Sequence, residues 1–232
     1  MKSNRKNTLC RILCGFAAVC SLAAAPIAVS KVATPEQLVA AAELAIEKAS
    51  ALLEDAGEYA ANRKYVKRQA AVLAVVGQAL AESGKQWSAR GIALREAGLA
   101  LQKAATHADA KKALALAKDA LAGKATGGNA QADWAKLCGM HDMMEHIEVT
   151  FTKLRRSLRR SRDPKADAAA ATQLAVLGVA MYADTHEVKD PKLVPQWQAM
   201  AREYQQALTA LAAAFEKGDK AAATKAYEAG YQ

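Results

Sequence analysis

Cysteine is almost missing from the body of this chain. Three of its four cysteines (Cys10, Cys14 and Cys20) fall in the first 30 residues, which leaves Cys138 alone. A framework of disulfides within the chain is therefore excluded once those residues are set aside. Aromatic residues are scarce as well, at 5% of the chain, and no aromatic cluster offers a platform for stacking bases. There are five prolines and few β-branched runs. Ala, Leu, Lys, Glu and Gln dominate instead, which is the composition of an all-α protein. Nothing resembles a nucleophile triad, a phosphate-binding Gly-rich loop, a His-Glu-x-x-His metal motif or a paired-carboxylate site, so the reading is not that of an enzyme.

The first 30 residues read as an export signal. Lys2, Arg5, Lys6 and Arg11 form a positive start with no acidic residue, and an apolar stretch runs from Ile12 to about Ala28. Ala23-Ala24-Ala25 and Ala28-Val29-Ser30 are both small-residue cleavage sites, and Pro26 directly after the first favours the second. The expected location is the periplasm or outside the cell. No other segment is expected to span a membrane. The signal carries four of the 32 basic residues and none of the 23 acidic ones, so its removal lowers the net charge from +9 to +5. That is a mildly basic protein and not a nucleic-acid binder.

Two stretches nearly repeat each other. Leu73-Ala74-Val75-Val76-Gly77-Gln78-Ala79-Leu80 matches Leu174-Ala175-Val176-Leu177-Gly178-Val179-Ala180-Met181. Gln86-Trp87 pairs with Gln196-Trp197, and Ala122-Gly123 with Ala229-Gly230. A repeat of about 100 residues is domain-sized. The expectation is two tandem copies, 34–123 and 132–232, joined by a linker at 124–131.

Each copy reads as four helices. In the first they run from Pro35 to about Tyr59, Tyr65 to Glu82, Gln86 to Ala105 and Asp109 to Leu121, with Thr34-Pro35-Glu36-Gln37 as a capping box. In the second they run from Ala132 to Ser161, Pro164 to Ala183, Gln196 to Lys217, and from Asp219 onward. Short connections make neighbours antiparallel, as in an up-down four-helix bundle. Gly77 and Gly178 hold equivalent positions, suited to close helix packing or to a ligand lying against the backbone.

This layout resembles the cytochrome c-prime family, most specifically in the second copy. There a Met-rich first helix is followed by an Ala/Leu helix, and a Trp-bearing third helix ends in Phe215-Glu216-Lys217-Gly218-Asp219. The resemblance implies an exported four-helix bundle that binds haem iron and transfers electrons. In that family the last helix carries Cys-x-x-Cys-His. This chain ends about where the first of those cysteines belongs, and the corresponding Lys124-Ala125-Thr126-Gly127 of the first copy has neither Cys nor His. Either the motif was lost or the reading frame stops early. The alternative to the family role is a haemless binding or scaffold module.

The densest group of ligand-type side chains is Cys138-Gly139-Met140-His141-Asp142-Met143-Met144-Glu145-His146. On an ideal helix Leu137, Met140, Met144, Ile147, Phe151, Leu154 and Leu158 share one stripe, with Met143 at its border. That stripe is the expected core face. Met140, Met144 and Phe151 are its candidates for lying against a non-covalently held haem. Cys138, His141, Asp142 and Glu145 fall on the opposite side at i, i+3, i+4 and i+7, and His146 joins only through Asp142. Thiolate, imidazole and carboxylate together suit zinc or copper. Cys138, if exposed, also offers a route to a homodimer. Arg155, Arg156, Arg159 and Arg160 head a basic run that suits a helix C-terminus, an acidic redox partner or an anionic surface.

Overall fold

The computed structural model describes residues 26–124, 128 and 131–231. Residues 1–25 of the expected export signal, and 125–127 and 129–130 of the expected linker, lie outside it. The described residues contain eight α-helices and no strand.

Helix α1 (Pro35–Leu52) starts at the expected capping box: Thr34 Oγ1 accepts from Gln37 N at 3.3 Å, and Gln37 Oε1 accepts from Thr34 N at 2.9 Å. It stops seven residues earlier than the composition suggests. Asp55 takes an extended conformation and its carboxylate accepts from Gly57 N and Glu58 N, which starts α2 (Ala56–Glu82). Near its start α2 bends at Asn62 (φ −114°), where the side-chain amide donates to Glu58 O at 3.0 Å. Helix α3 (Lys85–Lys103) follows, and α4 (His107–Leu121) opens on a second capping box, Thr106 with Asp109.

The long helix expected from Ala132 is shorter. Asp133 Oδ1 accepts from Ala135 N and folds Trp134–Lys136 into a 3-10 turn, so α5 (Met140–Arg159) begins only after Gly139. The rest falls as expected: α6 (Pro164–Ala183) capped by Asp163, α7 (Val194–Lys217) closed by Gly218 at φ +66°, and α8 (Lys220–Tyr231), whose first turn donates to Asp219.

Successive helices pack on one another within α1–α4 and within α5–α8. In addition α1 meets α4, and α5 meets α8. Across the chain α1 and α2 pack on α6, and α2 also packs on α5, so one continuous apolar core joins all eight helices. The repeated segments lie at its centre. Every residue from Arg68 to Leu80 and from Asp167 to Met181 is buried, which is why neither stretch shows a polar face. Helix α6 is also long and apolar enough to cross a membrane, contrary to expectation, but 83% of that window is buried inside the fold.

The glycine positions are filled by neighbouring helices. A Cβ on Gly77 would lie 2.8 Å from Arg95 Cα and 2.9 Å from Gly91 O, and one on Gly178 would lie 2.8 Å from Gln205 Cβ. Close packing occupies the space that a ligand against the backbone would need.

Candidate functional site

Helix α5 is turned about its axis relative to the expected stripe. Met143, His146, Ile147, Thr150, Phe151 and Leu154 face inward. Met144 is 46% exposed, Met140 and Leu158 are only partly buried, and His146, expected on a flank, is 3% exposed. The apolar stripe misled because α5 also packs on α2 and α6, and its polar Glu145 and His146 face them. Cys138 is not on the polar face of the helix at all. It precedes the helix and is buried, and its thiol donates to Gly139 O at 3.4 Å. Burial, with Asp142 and Asp184 nearby, pushes that thiol up to about 12. The exposed thiol that a disulfide-linked homodimer needs is thus not what the fold presents.

The expected metal donors scatter in consequence. His141 stands in solvent with Nε2 3.7 Å from Glu145, Asp142 is half-buried, Cys138 lies before the helix and His146 points into the core. Among the described residues no group of three or more His, Cys, Asp or Glu side chains stands close enough to hold a metal ion.

What α5 does bring together is a buried polar joint between the two halves of the chain. Glu145 is ion-paired with Arg68 of α2, which holds its carboxyl below the usual range. One residue on, His146 Nε2 lies 3.3 Å from Thr150 Oγ1, beside Gln173 of α6 and within the field of Lys48 of α1 and Arg68. Burial, then the Lys48 charge, lowers the imidazole to about 3 despite Gln173, so His146 is neutral in the fold. Lys48 is itself lowered to about 8 by burial and by Lys153, against Glu47. Gln173 is fully buried and donates to Ala41 O at 2.7 Å. The Arg68–Glu145 pair thereby ties α2 to α5, and Gln173 ties α6 to α1.

Sequence reasoning passed over most of these residues. The available signal was a polar side chain inside a run with no polar face, as with Gln78 and Gln173. Gln78 Oε1 accepts from Arg95 Nη1 at 2.6 Å, and Arg95 is 1% exposed.

Phe151 sits elsewhere, in an aromatic cluster with Tyr204 (5.9 Å between ring centroids), Tyr227 (5.2 Å) and Tyr231 (6.3 Å). Tyr204's hydroxyl is buried with no hydrogen-bond partner among the described residues, and burial raises its pKa. The three residues expected to lie against a haem do not converge on one ring. Phe151 is in this cluster, Met144 is in solvent, and Met140 lies about 16 Å farther along the helix axis. The histidine nearest in sequence to Phe151, His146, faces the joint. Met140, Met144 and Phe151 therefore do not form one surface that a haem could lie against.

The C-terminal half of α5 forms the second site of interest. Arg155, Arg156, Arg159 and Arg160 are exposed, and none has an ion-pair partner among the described residues. Arg155, Arg159 and Lys220 edge an open groove against α8 whose wall includes Leu158, Tyr227 and Tyr231. Next to it lies a half-open hollow of about 110 Å³ lined by Leu158, Pro164, Ala214, Phe215 and Ala223, with Arg159 and Lys220 at its rim. Ser157 and Ser161 also line it, but their hydroxyls donate to the buried Asp167, at 2.8 and 2.6 Å. Searches against protein-family models, curated proteins and solved structures find no match to this chain.

Proposed function

We propose that this protein is an exported, haemless binding or scaffold module built from two copies of one four-helix bundle, α1–α4 and α5–α8, of cytochrome c-prime-like ancestry. Support for the duplication comes from matched packing. Gly77 of α2 faces Arg95 of α3, eight residues after Trp87. Gly178 of α6 faces Gln205 of α7, eight residues after Trp197. The same helix pair thus meets at the same register twice.

The observation that carries the haemless reading is the aromatic cluster. Phe151, Tyr204 and Tyr227 pack together between α5, α7 and α8, while Met144 is exposed and His146 bonds within the polar joint. Binding then falls to the cationic groove on the outside of the same helices. The reading assigns no catalysis.

The test is the visible absorption spectrum of exported protein purified from haem-replete cells. The expected spectrum has no Soret band. A band in stoichiometric amount would overturn the haemless reading and restore haem iron and electron transfer as the function.

A further inference from the structure

We infer that the groove and hollow between the C-terminal half of α5 and α8 bind a small anionic amphiphile, with its anionic head on Arg155 and Arg159 and its apolar end in the hollow beneath Leu158 and Phe215. This deepens the binding-module reading and rests on it.

The charge of the site selects the head. Among the described residues, three cations (Arg155, Arg159 and Lys220) border the open groove against one carboxylate, Glu228. Lys220 Nζ is partly occupied, lying 3.4 Å from Arg159 O, which leaves the two guanidinium groups as the main anchors. They stand one helical turn apart on α5, a spacing that allows both to reach one carboxylate or phosphate. In the hollow the only carboxylate is Asp219, and it is engaged as the cap of α8 through Ala222 N at 2.9 Å.

The interior of the hollow selects the tail. Both serine hydroxyls on its wall are committed to Asp167, so apart from the rim the lining offers mainly hydrocarbon. Its volume of about 110 Å³ is smaller than the ~150 Å³ cavity that takes up benzene, which suits a chain of about three or four carbons. Tyr227 and Tyr231, stacked 13° from parallel with centroids 6.1 Å apart, give the rest of a short chain an apolar wall in the groove. A recess of this shape accepts a single molecule. A flat anionic bilayer would meet only the rim.

The test is calorimetric titration of the exported protein with sodium octanoate, using acetate, octanol and octyltrimethylammonium as comparisons. Octanoate is expected to bind with 1:1 stoichiometry. Acetate, which lacks the tail, and octanol and the cation, which lack the anionic head, are each expected to bind at least about tenfold more weakly. Arg155→Gln/Arg159→Gln should weaken octanoate by at least about tenfold with an unchanged melting temperature, because both side chains are exposed. Lys111→Gln/Lys112→Gln on the distant α4 should leave it unchanged. Equal binding of acetate or octanol, indifference to the double arginine variant, or no saturable octanoate binding would overturn the inference. Sedimentation with phosphatidylglycerol vesicles without binding of monomeric octanoate would overturn it in favour of a membrane surface. The haem spectrum of the same sample is a separate readout, so loss of this site and loss of the haemless reading are distinguishable.

Discussion

Replacing Gly98 with alanine tests one of the closest helix contacts among the described residues. Intrinsic propensity alone favours the change, since alanine in a helix interior is better than glycine by about 1 kcal/mol. The fold opposes it. The added Cβ would lie 2.5 Å from Ala74 N, 2.8 Å from Ala70 O and 2.9 Å from Ala74 Cα, all backbone atoms of α2. No rotamer change can move them aside, so the helices must separate locally by about 1 Å to reach ordinary carbon contact distances. That separation loosens the fully buried Leu73 and Leu94 nearby. Overpacking of this kind costs ~1–3 kcal/mol, and the backbone origin of the clash places it at the upper end. Offset by propensity, the net loss is about 2 kcal/mol, or roughly 4–8 °C in Tm for a chain of this size.

Thermal and urea unfolding followed by far-UV circular dichroism measure this directly. Gly139→Ala is the control, because nothing lies within 4 Å of its added Cβ. It should cost less than about 1 kcal/mol, through the helix cap alone. Gly178→Ala should fall between the two, since Gln205 meets it with a side-chain carbon at 2.8 Å and a backbone carbon at 3.1 Å. A Gly98→Ala variant as stable as the wild type, or more stable, would refute the α2–α3 approach on which this ordering rests.

Stability should fall with acid through His146. Its imidazole is near 6.5 in the unfolded chain and about 3 in the fold, so between these values the unfolded state takes up a proton that the folded state refuses. The loss approaches ~1.4 kcal/mol per pH unit below pH 6, and urea titrations of His146→Gln should show a flatter profile over pH 4–6. A thiol reagent such as dithionitrobenzoate should react with Cys138 far more slowly in native protein than in denaturant, because the thiol is buried and held up to about 12. Equal rates would contradict its placement. Val29 is 5% exposed and belongs to the core, so it should contribute to stability. A cut after Ser30 would remove that residue, and chains so cut should melt at lower temperature than chains that keep it.

The helices were largely legible in the residues, because caps and breakers act locally. Thr34, Asp163, Gly218 and Asp219 sit where their chemistry predicts. The two misplaced boundaries arose at Asp55 and Asp133, whose carboxylates bind the backbone ahead of them in stretches otherwise rich in helix formers. The facing of α5 was not legible. Its apolar periodicity describes a helix with one buried side, whereas this helix packs on α8 and α6 and also on α2. Only tertiary contact with Lys48, Arg68 and Gln173 makes a buried site for His146. The groove was half legible: the arginine run was plain, but Tyr227, Tyr231 and Lys220 reach it from a helix about 70 residues later in the chain.

The central position of α6 has a consequence for how the molecule comes apart. A duplicated protein is commonly a pair of independent units that melt separately and tolerate being cut apart. Here α1 and α2 rest on α6, and Gln173 of α6 holds the backbone of α1 at Ala41. Removing the second half would strip the apolar sides of α1 and α2 and leave Arg68 without Glu145. The chain should therefore unfold in a single calorimetric transition, and neither half should fold when expressed alone. The shared interior makes the two sets of helices a single folding unit rather than two modules.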